Sequence, residues 1–311
     1  MFNKYKIKLL LVFILATSLF LTTLACTLIK PLSSRTTVSQ SDLPIIYTTI
    51  YPLYDFTKKI GGGKVTIINV TPTGAEPHSF EPTSKLLADI SKADLLLYNG
   101  DGIEPYFEDL LTTLQGSSVL MIGTNQGINL IKENGVTDPH TWLSPSCALT
   151  IGENILEALS QVDPGNTEFY EKNFQAFQDN ITALDQDYED TLAQCQERKI
   201  VVTHQAFNYL CREYDLEQVP IMGFNAEAEP SSKKLKEICQ LISKEKIEFL
   251  FSEALFSPKV AETIATETGA TILPLHPLGS LSEKELQGGK EYFGIMRDNL
   301  KSLQQALEYK P

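Results

Sequence analysis

Short apolar runs alternate with amphipathic stretches from residue 44 to the end of the chain. Runs of four to six apolar residues bounded by turn residues predict strands, and apolar residues at three- and four-residue spacing predict helices. The predicted strands are Ile45–Ile50, Val65–Val70, Leu95–Tyr98, Val119–Ile122, Ile200–Thr203, a segment near Val219, Ile247–Phe251 and Ala270–Leu275. The predicted helices are Tyr51–Ile60, one from about Thr83, Glu104–Leu114, one from Pro145 to about Ser160, one ending at Glu213, Ser232–Ser243, Pro258–Thr268 and one from about Ser282. This alternation is typical of mostly parallel sheets with helices on their faces.

One segment in mid-chain lacks this alternation. After the breaker Asp163-Pro164-Gly165, the chain runs from Thr167 to about Glu197 without Gly or Pro, and its apolar residues keep helical spacing. Such a helix is about 45 Å long. Since no a/d heptad is sustained, a helix joining two lobes is favoured over a coiled coil. We therefore predict an α/β fold of two lobes, each with a mostly parallel sheet flanked by helices: an N-terminal lobe at 44–162, a linking helix at 163–197 and a C-terminal lobe at 198–311.

The N-terminus has the pattern of a secretory leader. Three lysines precede the apolar run Leu9–Leu21, and Leu24-Ala25 stands before Cys26. This segment resembles a bacterial lipobox, although Thr23 occupies a position that is usually Leu. We expect a lipoprotein signal peptide at 1–25, lipidation of Cys26 and a flexible tether at 26–43. The alternative is an uncleaved anchor, because Leu9–Ile29 is long enough to span a bilayer. Either way the body lies outside the cytoplasm, at the cell membrane or in the periplasm.

The composition of the chain disfavours one class of binding partner, nucleic acid. The formal net charge is −13, with 42% hydrophobic and 21% charged residues. An acidic body is a poor partner for nucleic acid, whose binding depends on neutralised phosphates. Apart from Cys26, the cysteines are Cys147, Cys195, Cys211 and Cys239, and no C-x-x-C pair occurs. They could form up to two disulfides or remain buried thiols.

The candidate chemistry lies in the histidines, of which the chain has four: His78, His140, His204 and His276. Each follows an apolar run, directly or across a short loop. The clearest case is Lys199–Phe207, where a predicted strand stops at His204, because the carboxyl ends of strands hold ligands in open α/β sheets. A single strand-end histidine is usually structural. Two from each predicted lobe favour one metal site in the cleft between the lobes.

Three segments around these histidines resemble a known family. They are Gly74–Pro82, Asp138–Pro145 and Val201–Tyr209, and they are similar to the signature segments of the zinc/manganese solute-binding lipoproteins of ABC transporters (ZnuA/TroA/PsaA-like). The resemblance covers about residues 44–310. It implies two α/β lobes joined by a helix, a monomer that binds a divalent metal ion in the cleft, and delivery of the ion to an ABC permease with its ATPase. It implies no enzymatic activity.

The resemblance also implies the ligands. His78, His140 and His204 match the family's three metal ligands, whereas His276 stands where the family commonly has a carboxylate. Four imidazoles suit Zn²⁺ better than Mn²⁺, which prefers oxygen ligands. The His-rich loop of many zinc members is missing, since Ile128–Val136 is short and lacks histidine.

Two acids precede predicted ligands by two residues. Glu76 and Asp138 could orient His78 and His140, or serve as solvated loop acids or helix caps. Glu253, which follows the predicted strand Ile247–Phe251, could face the cleft, but a structural use is favoured. Trp142 is expected to be a packing residue.

Four functions are compatible with these features. The first is a membrane-tethered binder that captures Zn²⁺ for an ABC importer, and the second is the same protein for Mn²⁺ or Fe²⁺. The third belongs to another class: a secreted zinc hydrolase with three histidines and Glu76 or Glu253 as base. A fourth ligand from His276 would block the water position that such an enzyme needs. A surface adhesin is compatible with the lipid tether, but no residue argues for it.

Overall fold

The computed structural model describes residues 43–100, 102–224, 230–253 and 258–308. The predicted signal peptide, Cys26 and nearly all of the predicted tether lie outside the described residues. Within the described part of the chain, no helix combines the length and the apolar character needed to cross a membrane.

The first half of the chain builds a parallel four-stranded sheet in the order β2-β1-β3-β4. Its strands are β1 (Ile45–Thr48), β2 (Thr66–Asn69), β3 (Leu95–Tyr98) and β4 (Leu120–Gly123). The helices of this half are α1 (Tyr51–Gly61), α2 (Ser84–Ile90), α3 (Phe107–Leu114) and α4 (Pro145–Val162). The central residues Leu95, Leu96 and Leu97 are wholly buried, because helices cover both faces of the sheet.

The second half repeats the architecture with the order β10-β9-β7-β8, again parallel. Its strands are β7 (Lys199–Val202), β8 (Glu217–Pro220), β9 (Phe249–Ser252) and β10 (Thr271–Pro274). Its helices are α6 (Asn208–Glu213), α7 (Ser232–Glu245), α8 (Lys259–Thr268), α9 (Glu283–Gln287) and α10 (Tyr292–Ala306). The predicted fold class, two α/β lobes with parallel sheets and one long helix, is confirmed.

The long helix α5 (Thr167–Leu192) has 26 residues and is about 39 Å long. One face is buried, through Tyr170, Phe177, Ile181, Leu184, Tyr188 and Leu192. Phe177 meets Phe56 of α1 with a ring-centroid distance of 5.0 Å, and Phe56 meets Tyr292 of α10 at 4.6 Å. The helix therefore does more than span the distance between two lobes, since it forms part of a core shared by helices from both halves of the chain.

The long helix ends at Leu192 and not at about Glu197, because the chain turns at 193–196 before β7 begins. Three further local features differ from the sequence expectation. The final helix is two helices, α9 and α10, separated at Gly288-Gly289, where Gly289 has a φ of +72° that disfavours a continuous helix. Helix α3 begins at Phe107 instead of Glu104, because Pro105 and Glu104 belong to the preceding turn. A short hairpin, β5 (Lys132–Glu133) and β6 (Val136–Thr137), was not expected. Its Asn134-Gly135 turn has φ values of 52° and 83°, the conformation that this dipeptide favours in hairpins.

The four cysteines of the body are free thiols. Cys147, Cys195 and Cys211 are buried and Cys239 is half-buried. The spacing of these cysteines was compatible with disulfides or with buried thiols, and the structure has free thiols.

Candidate metal centre

Three of the four histidines converge. His78 lies in the loop after β2, His140 opens the short 3-10 turn that leads into α4, and His204 follows β7 at the carboxyl edge of the second sheet. One potential ligand atom from each of these histidines lies within 4.8 Å of the other two. Among the described residues, they form the group of three or more His, Cys, Asp or Glu side chains that could hold a metal ion. The ring centroids are 4.8 to 5.5 Å apart. Two loops of the first half and a strand end of the second thus meet at one point.

The space between these rings is small. The cavity volume is ≈ 10 Å³, close to the minimum that holds one water molecule. The other residues that line it are Glu76, Pro77, Ile103, Trp142, Glu253, His276, Pro277, Gly279 and Ser280. A Cβ on Gly279 would come within 3.0 Å of the Pro77 side chain, so the loops of the two lobes are in close contact here. The cavity therefore accommodates one ion without a hydration shell.

His78 and His140 face each other through their Nε2 atoms, which are 3.0 Å apart. Ligand nitrogens about 2.0–2.1 Å from a tetrahedral zinc are about 3.4 Å apart, so little movement is needed for both to coordinate. Burial, together with His140 and His204, lowers the pKa of His78 to about 2. Burial and the neighbouring His204 also lower the pKa of His140 well below its usual value. Both rings are therefore neutral near pH 7, the form that binds metal.

Asp138 fixes the His140 ring. Its Oδ1 accepts hydrogen bonds from the His140 backbone N at 2.9 Å and from Nδ1 at 2.8 Å, which leaves Nε2 directed at His78. Its Oδ2 accepts from Asn208 Nδ2 at 2.9 Å, and its backbone O accepts from Tyr209 Oη at 2.7 Å. Burial raises the pKa of Asp138 to about 7, although the His140 N–H and the Asn208 amide oppose the rise. Asp138 thus joins the His140 loop to α6 of the other lobe.

Glu76 plays a smaller part in the same arrangement. Its Oε1 accepts a hydrogen bond from the His78 backbone N at 3.2 Å, and it lines the cavity. It therefore holds the backbone of the His78 loop, whereas Asp138 holds a ring.

Glu253, expected to be structural, lies against a predicted ligand. Its carboxylate oxygens are 3.2 and 3.3 Å from His204 Nδ1, and His204 Nε2 lies 2.7 Å from the Phe224 carbonyl. Burial lowers the pKa of His204, but Glu253 and the Phe224 carbonyl outweigh it, and the net shift is upward. Both ring nitrogens face oxygen acceptors, so a cation bound here would displace a proton. A usable signal existed in the sequence: Glu253 directly follows β9, and His204 follows β7 after one residue, Thr203.

His276 lines the same cavity but is not in the group of three. Its Nδ1 accepts a hydrogen bond from Leu278 N at 2.8 Å, and its Nε2 lies 3.4 Å from Glu285 Oε1. The His276 ring holds the pKa of Glu285 down at about 2. Nδ1 is thus hydrogen-bonded, whereas Nε2 is buried and makes no hydrogen bond within the described residues. Coordination through Nε2 would require it to leave only its longer contact with Glu285. Its role as a fourth ligand stays a prediction.

Trp142 does more than pack. Its ring centroid is 5.3 Å from that of His140, and its Nε1 donates to the Pro277 carbonyl at 2.8 Å. Tyr292 Oη in turn donates to the Trp142 carbonyl at 2.6 Å. The indole therefore ties the His140 loop to the loop that carries His276.

The family model described as "Zinc-uptake complex component A periplasmic" (ZnuA) matches residues 46–306, a range that includes all four histidines. Zinc-binding lipoprotein AdcA of Streptococcus pneumoniae serotype 4 is 35% identical over 278 residues, which cover 85% of this chain and 56% of the relative. The chain therefore spans little more than half the length of that relative.

Two further similarities cover nearly the whole of the compared protein. High-affinity zinc uptake system protein ZnuA of Bacillus subtilis (strain 168) is 33% identical over 284 residues, covering 86% of this chain and 89% of the relative. The crystal structure of the Zn(II)-bound ZnuA-like domain of S. pneumoniae AdcA has a TM-score of 0.78 at 35% identity, covering 86% of this chain and 99% of that domain.

Proposed function

Since the chain belongs to the ZnuA family of zinc-uptake component A proteins, we propose that it captures Zn²⁺ outside the cytoplasm and delivers it to an ABC permease with its ATPase. The family resemblance of the three histidine segments is thereby confirmed. The proposal makes Zn²⁺ the cargo of the protein, bound and released without chemical change.

The proposed ligands are His78, His140 and His204, with His276 as the fourth. The observation that carries the proposal is the convergence of three imidazoles, contributed by loops of both halves of the chain, within 4.8 Å. In this assignment Asp138 orients His140, Glu253 orients His204 and Glu76 holds the His78 loop. Oriented imidazoles bind metal more tightly, because the second ring nitrogen is held by a fixed acceptor.

The same features favour zinc over Mn²⁺ and Fe²⁺. Imidazole nitrogen suits Zn²⁺, whereas Mn²⁺ prefers octahedral oxygen ligands and retains water. A cavity of ≈ 10 Å³ leaves no room for retained water molecules. Two relatives are named for zinc binding or zinc uptake, which agrees with this preference.

The proposal includes a membrane tether. The name of the pneumococcal relative describes a lipoprotein. We propose the same for this chain, with the lipid on Cys26 and the body acting as a monomer at the cell membrane. The family consists of solute-binding transport components, so the zinc hydrolase considered from the sequence has no support.

The proposal is tested by the metal content of protein purified without chelator. We expect one zinc per chain, and Zn²⁺ to displace Mn²⁺ in competition titration. X-ray absorption of the zinc-loaded protein should give four nitrogen ligands at about 2.0–2.1 Å. Three nitrogens and one oxygen would remove His276 from the ligand set. Manganese or iron in place of zinc would overturn the choice of metal, and no bound metal would overturn the function.

Replacing Asp138 with alanine is expected to weaken zinc binding by about 10- to 100-fold, because His140 loses the acceptor that directs its ring. The measurement is a chelator-competition titration. Asp138→Asn should fall between this variant and the wild type, since its amide oxygen can still accept from His140. Asn208→Ala removes the hydrogen bond to the other lobe without touching the ring and should bind nearly as the wild type. An Asp138→Ala protein that binds zinc within twofold of the wild type would contradict the orienting role.

A further inference from the structure

Glu104 is a buried acid outside the metal centre, and its side chain is only 4% exposed. Its Oε1 accepts hydrogen bonds from Thr49 Oγ1 at 2.5 Å and from Asn99 N at 2.9 Å. Its Oε2 accepts from Gly100 N at 2.9 Å. The carboxylate thus holds the backbone turn that follows β3, using both of its oxygens.

The turn held by Glu104 is linked to the loop of a proposed ligand. Asn99 Nδ2 donates to the Pro139 carbonyl at 3.0 Å, and Pro139 directly precedes His140. Asn125 Nδ2 donates to the Asn99 carbonyl at 3.1 Å, and Asn125 Oδ1 accepts from Thr141 Oγ1 at 2.7 Å. Thr141 directly follows His140. The residues on both sides of this histidine are therefore held by two side-chain amides, Pro139 through its carbonyl and Thr141 through its hydroxyl, and the two amides meet at Asn99.

We propose that Glu104 is a positioning residue for metal capture, which fixes the Asn99–Gly100 turn and, through Asn99 and Asn125, the two residues that flank His140. This inference rests on the proposed function, in which His140 is a zinc ligand. The same segment supplies Ile103, whose side chain forms part of the cavity wall. A shift of the turn would therefore change both the direction of a ligand and the shape of the cavity.

The electrostatics agree with a positioning role. Burial raises the pKa of Glu104 to about 7, although its three donors oppose the rise. Burial disfavours the charge of this carboxylate. Acidic groups in such an environment are more typical of functional sites than of ordinary packing. Gln at position 104 has the same shape but only one acceptor oxygen. One of the backbone N–H groups would then face an NH₂ group, and the turn would have to move.

The test is a set of zinc titrations by chelator competition on the full chain. We expect Glu104→Gln to weaken zinc binding by about tenfold, the lower end of what outer-shell changes cost. Trp142 is the single tryptophan, and its ring is 5.3 Å from His140, so its near-ultraviolet circular dichroism in zinc-free protein reports the position of this loop. That signal should change in Glu104→Gln.

A double-mutant cycle separates positioning through Asn99 from a general loss of structure. If the effect passes through Asn99, then Asn99→Ala and the double variant Glu104→Gln/Asn99→Ala should both lose about tenfold, without the roughly hundredfold loss of independent effects. The matched control is Tyr170→Phe in α5. This substitution removes one partly buried hydrogen bond, from Tyr170 Oη to the side chain of Asp163, which follows the C-terminal end of α4. It should leave zinc affinity and the Trp142 signal unchanged.

Three results would overturn the inference: zinc binding by Glu104→Gln within twofold of the wild type, additive losses in the cycle, or an equal loss in Tyr170→Phe. If Glu104→Gln does not fold, Thr49→Val removes only one donor and should cause a smaller loss with the same change in the Trp142 signal. An unchanged Thr49→Val protein would then overturn it. Failure of the wild type to bind zinc would overturn the proposed function itself, and it is seen separately in the wild-type titration.

Discussion

Replacing His140 with alanine is expected to weaken zinc binding by about 100- to 1000-fold. Binding free energies of about 10–16 kcal/mol for four-ligand protein zinc sites correspond to about 2.5–4 kcal/mol per ligand, and each 1.4 kcal/mol is a factor of ten. Of the proposed ligands, His140 is the one that a neighbouring side chain could replace least easily, since it is 1% exposed and its Nδ1 is held by Asp138. The measurement is competition against a chelator of known affinity.

The control for this variant is Gln175→Ala, on the exposed face of α5, where the side chain hydrogen bonds only to Asp179 one turn away. It should bind zinc as the wild type does. Circular dichroism and thermal unfolding of the zinc-free proteins establish that His140→Ala is folded. Wild-type affinity in a folded His140→Ala protein would exclude this imidazole from the metal centre, and with it the three-nitrogen arrangement on which the zinc preference depends.

The fold was largely predictable because its signals are local. Strand β3 at Leu95–Tyr98 was predicted to the residue, and the long helix began at Thr167 as expected. The failures were also local and have physical causes. A Gly-Gly pair divided the final helix, and the residue pair Asn134-Gly135 formed a hairpin too short to show alternating hydrophobicity.

The candidate metal centre was predictable only in part. A histidine at the end of a strand could be recognised from the chain, since the carboxyl edge of a parallel sheet holds ligands. The sequence does not show which strand ends are neighbours in the sheet, because strand order is set by tertiary packing. Strand β9 lies next to β7, and this order brings Glu253 to His204 from a sequence distance of 49 residues. The link from Glu104 through Asn99 to Pro139 depends on loop geometry, for which the sequence carries no periodic signal.

The contacts around the centre also join the two lobes. Asp138 accepts from Asn208 and Tyr209 of α6, and Trp142 donates to Pro277. Glu213 accepts from Ser146 N at the first turn of α4, where a carboxylate is favoured by the helix dipole. The proposed ligands therefore lie at a junction that is already fixed by hydrogen bonds. Small loop movements suit release better than wide separation of the lobes.

The core beneath this junction should be the largest single contributor to stability. Phe56→Ala is expected to lower the free energy of unfolding by about 3–5 kcal/mol, because the ring is fully buried between Phe177 and Tyr292 and leaves a cavity that packed helices fill only in part. The measurement is urea unfolding of zinc-free protein, since bound metal would add its own stabilisation. Phe169→Ala, a Phe truncation at a residue of α5 that is 38% exposed, is the matched control and should lose less than about 1 kcal/mol.

The number of urea unfolding transitions is the second part of this prediction. Phe56 lies in α1 of the first half, Phe177 in α5 and Tyr292 in α10 of the second half, within one continuous group of buried side chains. A shared core unfolds cooperatively, so Phe56→Ala should shift a single transition to lower urea without dividing it. Two transitions, of which only one moves, would show that the lobes hold separate cores. The histidines of the two lobes would then be aligned by the contacts of Asp138 and Trp142 alone.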